Sequence, residues 1–287
     1  PLYNDWKSVS KLLDEIDLQI SSWDAEVSVI IVNDASTEER SGLDSNYKKI
    51  KSVKILNMKE NRVHQRCIAA GLKYICKNED FDRVIIMDAD GEDRPEELTL
   101  LFNKSKENPL KMVTANRIKR SEGPFFKLLY EGHKILTYVF RGKLVKFGNY
   151  SCMSKKDASR LVKDSCIWSS FSGSVTKIIP DRISVPSIKG QRYFGPSQMN
   201  LFNLLIHSFS IIAVFRGAVI VRSVLFIIFY LFFVYNNLSI ITLFPAFAVF
   251  IFLLLILKVS SRENIEELNS SLENIDSIDV LSNLNSR

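Results

Sequence analysis

The sequence predicts an α/β fold with a mostly parallel sheet and flanking helices, followed by an apolar helical hairpin. Three observations carry this expectation. Short apolar runs at 27–32, 53–56, 84–87 and 112–115 alternate with stretches of helical periodicity. Acidic residues stand at the C-terminal ends of two runs, at Asn33-Asp34 and at Asp88-Ala89-Asp90, where open α/β sheets bind ligands. From Ser223 to Leu257 there is no charged residue.

Taken in order, Asn4 or Asp5 caps a helix to about Ile20, with Leu12, Leu13 and Ile16 on its apolar face. Residues 27–32 form a buried strand and 53–56 another. Asn61 to Arg66 open a helix through Cys76, and Ala69, Ala70 and Gly71 make one of its faces small enough to lie close on a sheet. Residues 84–87 read as a strand buried on both faces. Gly91 then turns the chain, and Pro95 starts a helix to about Lys106. After the strand at 112–115 the pattern loosens. A helix is expected over 124–140, a strand over 147–153 containing Gly148-Asn149-Tyr150, and a last short strand over 183–185. The chain opens on Pro1-Leu2-Tyr3-Asn4-Asp5 in mid-pattern, so a first strand is expected ahead of Pro1.

Residues 199–216 suit a helix lying in a membrane interface, apolar with scattered Asn, His and Ser. The uncharged stretch would span about 52 Å as one helix against a hydrocarbon core of roughly 30 Å. Asn236-Asn237 therefore marks a turn between two spans within 217–257. Arg216 and Arg222 precede the turn and Lys258 and Arg262 follow it, which places both ends in the cytoplasm. The tail, 258–287, is polar. Ile265, Leu268, Leu272 and Ile275 allow a short coiled coil, and a frayed tail suits it equally.

The 287 residues carry a net charge of +6, and none between Asp181 and Glu263 is acidic. A basic collar around an apolar stretch points to anionic lipid and away from nucleic acid. The four cysteines lack C-x-x-C spacing, which fits free thiols facing a reducing compartment. His64, His133 and His207 show no metal-ligand spacing. Paired carboxylates one residue apart, as at Asp88 and Asp90, suit a hard divalent ion carrying a diphosphate.

Several motifs line up in order: Pro1-Leu2-Tyr3-Asn4-Asp5, Val32-Asn33-Asp34-Ala35-Ser36, Asn61-Arg62-Val63-His64-Gln65 and Asp88-Ala89-Asp90-Gly91-Glu92-Asp93-Arg94-Pro95-Glu96. Together they resemble the family 2 glycosyltransferases of GT-A fold. Gly148-Asn149-Tyr150, Arg192-Tyr193-Phe194-Gly195-Pro196-Ser197 and the paired apolar helices are similar to the polyprenyl-phosphate branch, which includes dolichyl-phosphate mannose synthase and bacterial relatives. The resemblance covers residues 1 to about 257.

It implies a membrane-bound inverting enzyme. The sugar would move from a UDP- or GDP-linked donor to polyprenyl (undecaprenyl) phosphate, with Mg²⁺ or Mn²⁺ as cofactor. Pro1, Tyr3, Asp5, Asp34, Asp88, Ala89 and Asp90 would bind the nucleotide sugar. Asp90, with Asp88, would hold the metal. Asp90, Arg117 and Asn149 would serve catalysis, and Arg117, Arg120, Lys127, Arg192 and Ser197 would meet the lipid phosphate. The implied setting is the bacterial cytoplasmic membrane, with a lipid bilayer as partner and a homo-oligomer left open.

Three residues depart from the pattern. Glu92 replaces a common Gln. Val63 replaces a common Gly, so the loop there is expected to differ. Asn149 replaces an Asp proposed as base, and an amide cannot take a proton. A lipid phosphate is already anionic and needs little deprotonation. Other readings are a glycosyltransferase acting on a glycan or another lipid acceptor, for which the processive Q-x-x-R-W signature is missing, and a non-catalytic membrane scaffold.

Overall fold

The structure is a computed structural model describing residues 1–43, 47–119, 147–195 and 201–282. The first helix, α1 (Trp6–Gln19), buries Trp6, Val9, Leu12, Leu13 and Ile16 on one face. Strand β1 (Val27–Asn33) and strand β2 (Ile50–Met58) pair in parallel. Helix α2 (His64–Asn78) brings Gly71 so close to β1 that a Cβ there would stand 2.9 Å from Val32. The small face thus sets the helix on the sheet, as its Ala and Gly content foretells.

Strand β3 (Arg83–Ile86) leads into the acidic loop. A 3-10 turn at Pro95–Glu97 opens α3 (Leu98–Glu107), and β4 (Met112–Lys119) follows. The expected helix at 124–140 lies outside the described residues, as do Arg120, Lys127 and Ser197. Strand β5 (Phe147–Ser154) is followed by α4 (Lys155–Leu161), α5 (Phe171–Ile178) and β6 (Arg182–Ile188).

The sheet is mixed, which corrects the expectation of a mostly parallel one. The strands fall into two sheets, β3-β5-β4-β6 and a three-stranded one. Strand β5 enters between β3 and β4 antiparallel to both, while β4 and β6 are parallel. The antiparallel insertion delivers Asn149 to the end of β3 that carries the acidic loop.

The free edges of β1 and β3 face a cavity of 1210 Å³ lined by Val27 to Val32, Ile68, Leu72 and Val84 to Met87. For this reason β3 is not buried on both faces as the apolar run suggests. Ile86 is buried, but Val84 and Ile85 are only half-buried. Leu2 pairs with Asn33 on that same edge of β1, in parallel.

Helix α6 (Leu201–Ala213) leads to α7 (Arg216–Val234), a 3-10 turn at Tyr235–Asn237, and α8 (Ile240–Ser260). Ser239 caps α8 in a reciprocal capping box with Thr242, and Tyr230 donates to the Thr242 carbonyl across the hairpin. Among the described residues, two helices are long and apolar enough to cross a membrane, by length and composition. Only 11% and 17% of their most apolar windows are buried, so their phenylalanines face outward rather than into a core.

The segment after α8 is neither frayed nor a coiled coil. It forms α9 (Ile265–Asn269) and β7 (Ile275–Ser282), which pairs antiparallel with the outer edge of β2 to give the order β1-β2-β7. Leu268 is fully buried. The chain therefore returns from the hairpin and covers a sheet edge that would otherwise be unpaired.

Candidate active site

The loop from Asp88 to Arg94 folds on its own carboxylates. The Asp93 side chain accepts from the Asp88 N–H at 2.9 Å, and Asp90 accepts from the Glu92 N–H at 2.9 Å. Gly91 turns at φ +88°, and a Cβ there would meet the Tyr193 ring at 2.8 Å. Asp93 is 2% exposed and pairs with Arg117 at 3.1 Å. Burial, with the charge of Asp88 added, pushes the Asp93 carboxyl up, against the pull of Arg117. Arg117, at the end of β4, is thus committed to holding this loop, with Glu92 at 3.9 Å.

Asp88 looks the other way. Its Oδ1 lies 3.1 Å from His64 Nε2 and accepts from Asn149 Nδ2 at 3.1 Å. Asn149 Nδ2 also lies 2.8 Å from His64 Nε2, and Gln65 Nε2 donates to Asn149 Oδ1 at 3.4 Å. Burial raises the Asp88 carboxyl, but His64, Asn149 and Arg117 outweigh it and hold the group well below the usual range. His64 was not distinguished by its spacing. Its signal was its place at the opening of a helix whose N-terminus faces the strand ends.

Val63, just before His64, has φ +65° and ψ 159°. This region suits glycine almost alone. The valine is therefore held in a backbone conformation that a glycine would adopt without strain.

Asp90 faces the strap at 189–195. Its Oδ2 is bound by Arg192 Nη1, while Arg192 Nη2 lies 3.0 Å from Asp5 Oδ2. Burial raises the Asp90 carboxyl, and the charges of Asp88 and Glu92 add to this. The Tyr193 N–H donates to the Asp90 carbonyl and the Gly190 N–H to that of Glu92, each at 2.9 Å. Lys189 pairs with Glu92 at 3.1 Å.

The N-terminal motif is joined to the end of β1. Asn4 receives the Thr37 N–H at 2.8 Å and donates its own N–H to Ser36. Asp34 is buried and accepts the Arg62 N–H at 2.7 Å, so it anchors the loop leading to His64. Tyr3 is exposed, Pro1 lines the cavity between β1 and β3, and Ala89 packs on the core beneath the loop. The structure thus gathers Asp5, Asp88, Asp90, Arg117, Asn149 and Arg192 around one loop. Asp34 and Pro1 join it through backbone and packing.

A divalent ion fits this donor set. Asp90 and Asp5 both direct an oxygen at one cationic group, the guanidinium of Arg192. Among the described residues no three His, Cys, Asp or Glu side chains converge on one point. Asp90 and Asp5 are the two carboxylates present for a hard divalent ion, which takes one or two from the protein.

The glycosyl transferase family 2 model matches residues 1–168, more than half of the chain and all of the motifs from Pro1 to Asn149. The mixed α/β core with its flanking helices agrees with the GT-A fold. The chain belongs to glycosyl transferase family 2 and is a glycosyltransferase, taking a sugar from a nucleotide-sugar donor to an acceptor.

Proposed function

We propose that the acceptor is a polyprenyl phosphate in a membrane, and the donor a UDP- or GDP-sugar. The observation that carries this reading is how near in sequence the Arg192 strap stands to the apolar helices. Arg192, in contact with Asp90, is followed nine residues later by α6 and then by the apolar hairpin. The site is tied to the part of the chain suited to lipid. An acceptor whose head is an anion and whose tail is apolar matches both halves. The exposed apolar faces of α7 and α8 favour a bilayer around them.

In this reading the lipid phosphate oxygen attacks the anomeric carbon and the nucleoside diphosphate leaves with inversion. No proton has to be removed, so Asn149 in place of an acid is tolerated. Asp90, with Asp5 in place of the expected Asp88, whose oxygen is taken by Asn149 and His64, would hold the divalent ion, which would neutralise the diphosphate leaving group. Arg117 acts through Asp93 and keeps the loop in shape. Arg192 supplies two parallel donors suited to a phosphate.

A second reading, a hydroxyl acceptor on a glycan or another lipid, is favoured by the His64–Asp88 pair. An imidazole beside a carboxylate is a ready base, which a phosphate acceptor does not need. Incubation with a panel of UDP- and GDP-sugars and undecaprenyl phosphate, followed by mass spectrometry of the lipid, separates the two. A glycosylated lipid phosphate is expected. Transfer only to hydroxyl acceptors would overturn the first reading.

A further inference from the structure

We infer that Arg192 is a built-in cation closing the Asp90–Asp5 site, and that the strap at 189–195 has to leave Asp90 before a divalent ion binds there. This rests on the reading above that Asp90 holds the ion. Both carboxylates turn an oxygen to the guanidinium: Nη1 binds Asp90 Oδ2, and Nη2 stands 3.0 Å from Asp5 Oδ2. An ion bound at the same Asp90 oxygen would lie against the guanidinium, and two cations that close repel. The two occupants are therefore exclusive.

The strap is fastened to the acidic loop itself, not to a distant support. Gly190 and Tyr193 donate their N–H groups to the carbonyls of Glu92 and Asp90. The Tyr193 ring lies on Gly91, and its hydroxyl reaches Glu15. Gly190 has no room for a side chain, since a Cβ would stand 2.3 Å from the Gly91 carbonyl oxygen. This close seating fixes where the guanidinium rests. The clamp is nonetheless incomplete. Among the described residues, Arg192 Nε is buried with no hydrogen-bond partner. The three clamped side chains are each about one-fifth exposed, at 20%, 20% and 19%, so an ion in solution reaches them without unfolding. Once displaced, Arg192 is free to meet an anion.

The test uses the full chain in detergent and Mn²⁺ alone, titrated by electron paramagnetic resonance of the free ion. Arg192→Gln is expected to tighten Mn²⁺ binding at least fivefold. Lys189→Gln removes the same charge from the strap but leaves the clamp, and should change it by less than twofold. Asp90→Asn should remove the site. In the unmodified chain, Mn²⁺ should speed hydrogen exchange at the Gly190 and Tyr193 amides. If Asp90→Asn abolishes binding while Arg192→Gln leaves it equal or weaker, the clamp is overturned and the metal reading stands. Equal tightening in Lys189→Gln, or unchanged exchange at both amides, also overturns the clamp. If neither the unmodified chain nor Arg192→Gln binds Mn²⁺, the metal reading fails and the proposal with it.

Discussion

Asn149 donates a hydrogen bond to Asp88 across 3.1 Å, and the same amide nitrogen touches His64. An acid at position 149 would replace that donor with a second carboxylate. Two carboxylates at this separation do not both ionise freely, so one is pushed up and takes a proton. A group with a raised folded pKa contributes stability below its unfolded value and loses it as pH rises through the folded one. Asn149→Asp should therefore lower the melting temperature at pH 8, by the equivalent of about 1–3 kcal/mol, and the deficit should narrow at pH 5. A deficit that widens on acidification would contradict this geometry.

His64 bears on the acid limb. Burial raises the Asp88 carboxyl, yet His64, ahead of Asn149 and Arg117, brings it well below the usual range. A depressed carboxylate stabilises the fold above its unfolded pKa, roughly 3.9, and that contribution fades as pH falls through the lower folded value. His64→Ala removes the largest opposing effect. Its acid-unfolding midpoint, followed by circular dichroism, should move to higher pH. An unchanged midpoint would mean that His64 does not support Asp88.

Asp90 is expected to be needed for turnover but not for folding. It lies in a loop held by other contacts, through Asp93 to Arg117 and to the Asp88 N–H. Asp90→Ala should cut turnover at least about 100-fold, which is about 2.7 kcal/mol of transition-state stabilisation. The near-ultraviolet circular dichroism should be retained. EDTA should have the same effect, reversed by Mg²⁺ or Mn²⁺. Full turnover in EDTA would remove the metal from the mechanism.

Val63 is held at φ +65°, where a β-branched side chain is strained. Relief of such strain is worth about 1–3 kcal/mol, offset by the greater freedom glycine has when unfolded, about 0.5–1 kcal/mol. Val63→Gly should thus stabilise the chain by about 1 kcal/mol in chemical denaturation. A loss of stability would show that the valine is accommodated without strain.

The legible parts of this chain were those whose determinants are local. The acidic loop was visible because an apolar run, two acids, Gly91 and Pro95 follow one another within a dozen positions. The hairpin was visible because charge is simply missing. His64 was not, since its partners Asp88 and Asn149 lie 24 and 85 positions away and meet it only when β5 inserts beside β3. The last strand, β7, was hidden for a similar reason. Leu268, Leu272 and Ile275 have helical spacing, and the strand exists because β2 offers an unpaired edge to residues some 220 positions later. Helices α4 and α5 are short, and their start signals, Ser154 and Ser170 accepting backbone N–H groups, outweigh the loose periodicity between them.

Length and charge predict an orientation for the hairpin. Helix α7 has 19 residues and α8 has 21. At about 1.5 Å per residue each matches a hydrocarbon core of roughly 30 Å. The turn at Tyr235–Asn237 is uncharged, whereas Arg216 opens α7 and Lys258 and Arg262 lie at the other end of α8. Basic residues stay on the cytoplasmic side, so the turn should face outward and the sheet domain inward. A cysteine at position 237 reads this directly. Cys67, Cys152 and Cys166 are buried and Cys76 half-buried, and all four are replaced in the background strain of the experiment. The new thiol should react with an impermeant maleimide applied to intact cells. Labelling that appears only after lysis would invert the topology, and it would place the Asp90 site on the side of the membrane away from cytoplasmic nucleotide sugars.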